Sequence, residues 1–220
     1  MRMAPAWIGL IVVLMAPCAV AQEPADIPLP AARTEGGRPL MEVLRDRQSS
    51  REYGGESLPL QTLSDLLWAA AGINRPDSGK RTAPSARNWQ EIEVYAVTSA
   101  GAYLYDAGAH ALKAVAPGDL RAVTGSQPFV AVAPLNLVLV ADLEKMKGAA
   151  PEDQSLYAGA DAAFISQNIY LFCASEGLAT VVRGLVDREA VARALKLPEH
   201  KRVIFAQSVG FPGGGDSGRP

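Results

Sequence analysis

Apolar residues recur at helical spacing in three amphipathic segments of the chain. The clearest predicted helix is Leu60–Ala71, because its leucines fall on one face and Gly72 follows the last apolar position. Shorter amphipathic helices are predicted at 41–47 and 187–195, and Asp187 is the expected N-cap of the second. Each of these helices has one apolar face to bury, so we expect all three to pack on a core.

A fourth helix, predicted at 156–175, has a different pattern. Its residues are hydrophobic nearly all round, and polar positions are scarce until Gly177 ends it. A helix without a solvated face must be covered on all sides. We therefore expect that either its own domain or a second subunit covers this helix.

Period-two alternation and short apolar runs predict six strands, and a turn at Gly108 joins the second and third as a hairpin. Their ranges are Ile92–Val97, Tyr103–Tyr105, Ala111–Val115, Phe129–Val132, Leu135–Ala141 and Val203–Val209. A short helix is predicted at Pro117–Thr124, and a long basic and polar loop at residues 74–88. Helices and strands alternate loosely around the hairpin, which is an α+β pattern without internal repeats.

Composition and charge exclude several classes of protein. The 220 residues are 49% hydrophobic and 20% charged, with a formal net charge of −2. Such a chain is too apolar for disorder and has no bulk attraction to nucleic acid or anionic lipid. The two histidines, His110 and His200, are far apart and expected at the solvated surface, and no H-E-x-x-H, C-x-x-C or G-x-S-x-G motif occurs. No metal site and no hydrolase triad are therefore predicted.

Residues 1–21 have the pattern of a secretion signal. A positive charge begins the segment, a short apolar core follows, and residues 19–21 form a small-x-small cleavage site. The core is too short to span a bilayer comfortably, with an uncleaved anchor as the alternative. We expect cleavage near Ala21 and a periplasmic or extracellular protein without a stable membrane span. Cleavage removes Cys18 and leaves Cys173, a predicted buried thiol, as the one cysteine.

The remaining sequence divides into three parts. Residues 22–39 are rich in proline and glycine and are predicted to form an extended N-terminal arm. Residues 40–212 contain all the predicted helices and strands and are long enough for one domain with a sizeable core. Residues 213–220 are glycine-rich and are predicted to form a flexible tail.

A polar stretch at 45–53, which follows the first short helix, is the first candidate binding site. It contains three arginines and two serines within seven residues. Guanidinium groups pair with phosphate oxygens, and serine hydroxyls donate to the oxygens that remain, so this stretch could clamp a phosphate. An ordinary solvated helix end is the alternative interpretation.

A second polar stretch, 81–90, precedes the strand predicted at Ile92–Val97. Pro84 stiffens this loop, while Ser85 and Asn88 present hydrogen-bonding groups. The small residues Ala83 and Ala86 leave room for a flat ring to approach the backbone. By itself this local pattern is suggestive only.

Taken together and in this order, the two stretches resemble the nitroreductase superfamily, and specifically its SagB-type dehydrogenase branch. Six short motifs carry the resemblance, which covers roughly residues 40–212. The matched positions are Arg47, Ser49, Arg51 and Tyr53; the helical stretch 63–72; Pro84, Ser85, Ala86, Asn88 and Gln90; Tyr103–Asp106; Gly177 and Leu178; and Gly210 with Pro212.

The resemblance implies a nitroreductase-like α+β fold: a mixed, mostly antiparallel sheet flanked by helices, with a long buried central helix, in a homodimer. It also implies the cofactor FMN. In this reading Arg47, Ser49 and Arg51 hold the ribityl phosphate, with Gln48 beside them. The remaining positions implied to bind the cofactor are Pro84, Ser85 and Asn88, at the ribityl chain or the flavin ring, and Gly177 and Leu178, whose backbone approaches from the second subunit.

The function that the resemblance implies is that of an exported FMN-dependent oxidoreductase. It would pass hydride or electrons between a small-molecule donor and a small-molecule acceptor, and no single catalytic residue is identified. A degenerate, non-catalytic dimer that binds flavin or another flat ligand is the alternative. Both interpretations require the two polar stretches to converge on one ligand at a subunit boundary.

Overall fold

The computed structural model describes residues 24–214, and the signal segment and the end of the predicted tail lie outside them. Their centre is a seven-stranded sheet in which every neighbouring pair is antiparallel, in the order β1-β6-β5-β4-β7-β9-β8. These strands are β1 Ile27–Pro28, β4 Ile92–Val97, β5 Gly101–Asp106, β6 Ala111–Pro117, β7 Leu135–Asp142, β8 Ala179–Arg183 and β9 Lys201–Gly210. A separate two-stranded hairpin consists of β2 Ile73–Arg75 and β3 Lys80–Arg81.

Five α-helices accompany the sheet in the described part of the chain. They are α1 Leu40–Asp46, α2 Leu60–Ala71, α3 Phe129–Val132, α4 Pro151–Glu176 and α5 Arg188–Ala194. Short 3-10 turns occupy Pro76–Ser78, Ala86–Asn88, Arg121–Thr124 and Leu143–Met146. This arrangement confirms the predicted α+β fold with an antiparallel sheet between helices.

Alternation along the central strand β4 separates two apolar cores. Its residues Ile92 and Val94 belong to a large core with α2 and α4, whereas Tyr95 and Val97 belong to a smaller core with α5. Successive side chains of a strand point to opposite faces, so the two helical layers lie on opposite faces of the sheet. Helix α4 crosses the larger core and determines where the site can form.

The strongest patterns predicted the elements best. Helix α2 and strand β4 have the predicted bounds. The N-cap prediction is also confirmed, because the Asp187 carboxylate accepts a hydrogen bond from the backbone N–H of Ala190 at 3.0 Å. Cys173 is a buried free thiol, as expected, and burial raises its pKa.

The predicted strand at Phe129–Val132 is wrong, because these residues form the one-turn helix α3. Pro128, in a right-handed helical conformation, begins the turn, and the N–H of Ala133 closes it on the carbonyl of Phe129. The helix predicted at Pro117–Thr124 is largely wrong as well. Strand β6 continues to Pro117, and only a 3-10 turn at Arg121–Thr124 is helical.

Two features were not predicted. The supposed loop at 74–88 contains the hairpin β2–β3, which Gly79 closes with φ +62°. Strand β8 forms the edge of the sheet beside β9 and leads directly out of α4. It matters for function because it brings residues 182–184 next to the second half of α4.

The N-terminal arm is extended, and it is fastened along its length. Strand β1 pairs with β6, and further along the backbone N–H and the guanidinium of Arg33 both donate to the Asp65 carboxylate on α2. The arm ends at α4, where the N–H of Arg38 donates to the Ser175 hydroxyl at 3.0 Å. Within residues 24–214, no helix is long and apolar enough to cross a membrane.

Candidate functional site

The first polar stretch meets helix α4 at Tyr170. The Ser49 and Tyr170 hydroxyls lie 2.8 Å apart, and the backbone N–H of Val182 on β8 donates to the same Tyr170 oxygen at 3.0 Å. The Arg47 guanidinium lies over the Tyr170 ring, 5.2 Å from its centroid. Tyr170 therefore connects the predicted phosphate-binding residues to α4 and β8.

The rest of this stretch runs along the edge of the sheet. The N–H of Ser50 donates to the Thr180 carbonyl at 2.9 Å, and the Tyr53 hydroxyl donates to the Ser50 carbonyl at 2.8 Å. Gln48 and Arg51 are exposed. The backbone is thus fixed on β8 while these two side chains remain in solvent.

The three arginines of this stretch differ in whether an acidic side chain neutralises them. Arg45 is paired with Asp46, whereas Arg47 and Arg51 have no acidic partner among the described residues. Arg47 lies over the ring whose hydroxyl contacts Ser49, and Arg51 follows Ser49 by two residues in the sequence; guanidinium and hydroxyl groups are donors that suit a phosphate. This is the observation on the chain itself that fits the phosphate of FMN.

A cleft of about 280 Å³ opens beside Tyr170 between α4 and the end of β8. Its lining consists of Ala163, Ser166, Gln167, Tyr170, Val182, Gly184 and Phe205. Binding sites for small molecules usually enclose about 300–1,000 Å³. The volume of this cleft is therefore just below the range that is usual for small-molecule sites.

The second polar stretch forms a tight loop from Pro84 to Gln90. The Ser85 hydroxyl accepts from the N–H of Gln90 at 3.0 Å, and the Asn88 side-chain oxygen accepts from the Gln90 side chain at 3.2 Å. Pro84 is exposed at its start. Arg87, Asn88 and Gln90 all have φ between +50° and +56°. Left-handed backbone at non-glycine residues is unfavourable, so external contacts must hold this loop in shape.

Those contacts come from two elements. On α4, the Asp161 carboxylate accepts from the backbone N–H of Ala86 at 2.8 Å. From the 3-10 turn after β7, the Lys145 ammonium donates to the Gln90 carbonyl at 3.1 Å. Trp89 also packs edge-on against Tyr157, one turn before Asp161 on α4. Both polar stretches are thus anchored on the same helix.

The anchors lie on different sides of that helix. Asp161 and Tyr170 are nine residues apart, which places them about 14 Å apart along the axis and about half a turn apart around it. Within one protomer the two stretches therefore do not converge. Between them α4 presents an exposed strip, here called the α4 ridge, that consists of Leu156, Ala163, Phe164 and Gln167.

Gly177 and Leu178 end helix α4. Gly177 has the left-handed φ of +68°, and the backbone N–H groups of both residues donate to the Cys173 carbonyl. The Leu178 side chain is buried in the larger core. The residues have a clear structural role, and their approach to a cofactor stays a prediction.

A larger cavity of about 530 Å³ lies between the arm and helices α1, α2 and α4. Arg33, Arg38, Trp68 and Phe172 are among its lining residues, and none of the nine residues predicted to bind the cofactor is. The ion pairs Arg33–Asp65 and Arg38–Asp46 already neutralise its arginines. Its volume alone does not make it the functional site.

Behind the smaller cleft, a buried polar network fixes the end of β8. The Arg183 guanidinium is almost fully buried and donates to the Thr124 carbonyl and to the Asn136 side chain. Asn136 also accepts from the Ser208 hydroxyl at 2.6 Å. Burial lowers the pKa of Arg183 to about 10, because no carboxylate compensates its charge.

The motifs did not reveal Tyr170 and Asp161. Both are polar and almost fully buried on α4, and the sequence alone does not distinguish them from the other polar residues of that helix. His110 also differs from expectation. It is half-buried and contacts Ser64, Tyr105 and the carbonyl of Pro30, so it joins the arm to the domain. In the described range, no group of three or more His, Cys, Asp or Glu side chains could hold a metal ion.

Comparison with known proteins agrees with this geometry. Residues 44–211 match the model of the nitroreductase family, a range that includes both polar stretches, α4 and β8. The chain belongs to the nitroreductase family. Members of this family are typically flavin-dependent oxidoreductases, and the resemblance inferred from the motifs is confirmed at that level.

Individual relatives are consistent with membership of the family. The crystal structure of a nitroreductase-like protein from Ralstonia eutropha is 42% identical, with a TM-score of 0.84 over 90% of this chain and 94% of that one. A protein of Methanocaldococcus jannaschii described as a nitroreductase is 29% identical over 76% of this chain and 88% of its own length. The NADPH:FMN oxidoreductase of Vibrio harveyi, solved with NAD+, shares the fold at 21% identity and a TM-score of 0.59, over 82% of this chain and 72% of that one.

Proposed function

We propose that the protein is an FMN-dependent oxidoreductase that works as a homodimer. Arg47, Ser49 and Arg51 of one protomer hold the phosphate, and the loop Pro84–Gln90 of the second protomer contacts the flavin. Bound FMN would supply hydride and electron transfer between a small organic donor and a small organic acceptor. The residues of the chain bind and orient it, which accounts for the lack of an acid–base dyad among the predicted site residues.

The observation that carries this proposal is the placement of the two anchors on α4. The α4 ridge occupies the sector of the helix between Tyr170 and Asp161, and its apolar members Leu156 and Phe164 are 64% and 46% exposed. Exposed apolar surface of this kind favours association. A second copy packed on the ridge would adjoin both polar stretches and close the 280 Å³ cleft beside Tyr170.

The unpaired arginines support FMN in particular over a neutral flat ligand. Arg47 and Arg51 would compensate the charge of a phosphate, and Ser49 would add a hydroxyl donor held by Tyr170. Val182 of β8 and Gly184, directly after that strand, line the cleft beside Tyr170. The NADPH:FMN oxidoreductase of Vibrio harveyi, which shares the fold, is a precedent for this cofactor.

Two narrower assignments belong to the same proposal. The SagB-type branch is supported by Tyr103–Asp106 and by the motif Arg47, Ser49, Arg51 and Tyr53. Export is supported by the signal pattern of residues 1–21. Fractionation of cells that express the full chain would test export, with a shortened protein expected in the exported fraction and a full-length cytoplasmic protein contradicting it.

The first experiment is to purify the protein and measure its flavin. We expect a yellow dimer that contains, or can be reconstituted with, about one FMN per subunit. Arg47→Ala should weaken FMN binding at least about tenfold, because a charge-assisted phosphate contact is lost. Arg45→Ala is the matched control, since Arg45 is paired with Asp46 and should leave FMN affinity unchanged.

Two results would overturn parts of the proposal. Colourless protein that cannot be reconstituted with FMN would remove the flavoprotein function. Protein that binds FMN but passes no electrons from any donor to nitroaromatic or quinone acceptors would contradict the oxidoreductase function and support the alternative, a non-catalytic flavin-binding protein. Nicotinamide and non-nicotinamide donors should both be screened, because an exported enzyme would not meet cytoplasmic NAD(P)H.

A further inference from the structure

A buried pair of acids lies beneath the loop Pro84–Gln90. Glu91, directly before β4, is completely buried, and neither of its carboxylate oxygens has a hydrogen-bond partner in the described part of the chain. Asp161, the α4 residue that accepts from the N–H of Ala86, is almost fully buried as well. Nothing in the proposed cofactor contacts uses Glu91, so its burial needs a separate explanation.

An ionised carboxylate in this position would be very unfavourable. Burial without a donor costs an ionised acid several kcal/mol, and a second carboxylate nearby adds repulsion. Burial, followed by the charge of Asp161, raises the pKa of Glu91 to about 7. A protonated Glu91 could instead donate its proton to the Asp161 carboxylate, which would partner both groups.

We propose that Glu91 is a positioning residue, which in its protonated form holds Asp161 in place and thereby keeps the loop Pro84–Gln90 in its ligand-binding conformation. This inference rests on the proposed FMN site, because that loop is the part assigned to the flavin. The strained φ angles of Arg87, Asn88 and Gln90 make the loop depend on such tethers.

Two charged groups act on Glu91 from the elements packed around it. Asp161 on α4 disfavours its ionisation, and Lys145 on the 3-10 turn Leu143–Met146 favours it weakly. Lys145 is exposed and already donates to the Gln90 carbonyl. Deprotonation of Glu91 would leave two buried negative charges against each other, and movement of Asp161 to relieve this repulsion would release the N–H of Ala86.

The direction of the pH effect follows from linkage. A loop that opens to water returns Glu91 toward its ordinary pKa near 4.5, whereas the closed loop keeps it near 7. The closed form of the loop then binds more protons than the open form, so low pH favours it. The free energy that favours the closed form decreases as the pH rises from about 4.5 to about 7. Above that range Glu91 is ionised in both forms, and the effect levels off.

The test compares the wild type with Glu91→Gln between pH 5 and pH 8.5. The glutamine amide has the same shape and donates to Asp161 at every pH. FMN phosphate also titrates near pH 6, so the ratio of the two dissociation constants at each pH is the quantity to use. As the pH rises across this range, we expect the FMN dissociation constant of the wild type to increase by at least about fivefold relative to that of Glu91→Gln.

A second measurement does not need FMN. Amide hydrogen exchange of the ligand-free protein should show residues 85–90 losing protection with rising pH in the wild type and not in Glu91→Gln, with β7 as the internal reference. Glu93→Gln is the control for removing an acid two residues away, in β4, since Glu93 pairs with Lys201 instead. If the protein binds no FMN at all, this exchange measurement still tests Glu91 separately.

Equal pH dependence of wild type and Glu91→Gln in both measurements would overturn the proposal. Asp161→Asn provides the second variant should Glu91→Gln fail to fold. Its amide oxygen can still accept from Ala86 while its N–H₂ donates to an ionised Glu91, so it should make loop protection less dependent on pH than in the wild type. A loop whose protection in Asp161→Asn depends on pH as strongly as in the wild type would contradict the role of the pair.

Discussion

Ser49 and Tyr170 are 121 positions apart in the sequence, and their hydroxyls meet at 2.8 Å. The same Tyr170 oxygen accepts from the N–H of Val182 at 3.0 Å. One phenol thus joins the stretch that carries Arg47 and Arg51 to the end of β8, where the smaller cleft opens. Tertiary contacts as well as the local motif therefore position the proposed phosphate-binding residues, Arg47, Ser49 and Arg51.

Removal of this hydroxyl should affect both folding and binding. Tyr170→Phe leaves the N–H of Val182 without its acceptor and Ser49 without its partner, so we expect the free energy of unfolding to fall by about 1–3 kcal/mol. FMN affinity should fall as Ser49 loses its fixed orientation. Urea denaturation and flavin titration measure the two effects.

Tyr157→Phe is the matched control for this change. Tyr157 also lies on α4, but its ring packs against the Trp89 ring, and its hydroxyl has no partner in residues 24–214. The free energy of unfolding of Tyr157→Phe should lie within about 0.5 kcal/mol of the wild-type value. Equal losses in the two variants would mean that the Tyr170 hydroxyl has no special role.

The α4 ridge should hold the dimer together. Phe164→Glu places a charge in the exposed apolar strip, and we expect a shift from dimer to monomer in sedimentation experiments together with loss of FMN. Val132→Glu on α3, whose parent residue is 50% exposed, changes a comparable residue away from the ridge and should remain dimeric. A dimeric, flavin-bearing Phe164→Glu protein would show that the ridge is not the interface.

The network behind β8 predicts a large loss of stability. Asn136→Leu removes the donor to the Val130 carbonyl and the acceptor for Ser208 and for the buried Arg183 guanidinium. Leaving part of a buried cation without its acceptor is severe, so we expect a loss of about 3 kcal/mol or more in denaturant unfolding. A loss below about 1 kcal/mol would show that Arg183 does not depend on Asn136.

The arm should detach in acid. Burial raises the pKa of Asp65, but hydrogen bonds from the Arg33 backbone and from Gln61 lower it more, and the net pKa is below 3.8. The contribution of Asp65 is therefore present above pH 3.8 and is lost as the pH falls through the lower folded value. Amide exchange should show residues 29–35 losing protection below about pH 4.

Asp65→Asn should loosen the arm at neutral pH. The ionic partner of Arg33 is then gone, so trypsin should cleave after Arg33 several-fold faster than in the wild type. Asp119→Asn is the control, because it breaks an ion pair with Arg121 that lies within a local turn. Unchanged cleavage after Arg33 in Asp65→Asn would show that other contacts hold the arm.

Much of the fold could be predicted where the hydrophobic pattern was long and regular. Helix α2 has twelve residues with one apolar face and a glycine after it, and the strand β4 alternates over six residues. The run Phe129–Val132 failed because four apolar residues fit a strand or a helix equally well. There Pro128, in a right-handed helical conformation, begins a helical turn, and periodicity could not show it.

The candidate site was predictable only in part. Motifs indicated the residues of both polar stretches, since their chemistry is local in sequence. The anchors Tyr170 and Asp161 could not be found in this way, because their roles depend on which turn of α4 faces which polar stretch. Their separation around the helix also required the three-dimensional structure.

A mixed dimer tests the central claim most directly. One chain would carry Arg47→Ala and the other Ser85→Trp, each shown by circular dichroism to fold, with two tags to isolate the heterodimer. If each site consists of Arg47, Ser49 and Arg51 from one protomer and the loop Pro84–Gln90 from the other, the heterodimer contains one intact site. It should then bind about one FMN per dimer with wild-type affinity, while both variant homodimers bind weakly. A heterodimer that binds no more tightly than the homodimers would contradict a site shared between protomers.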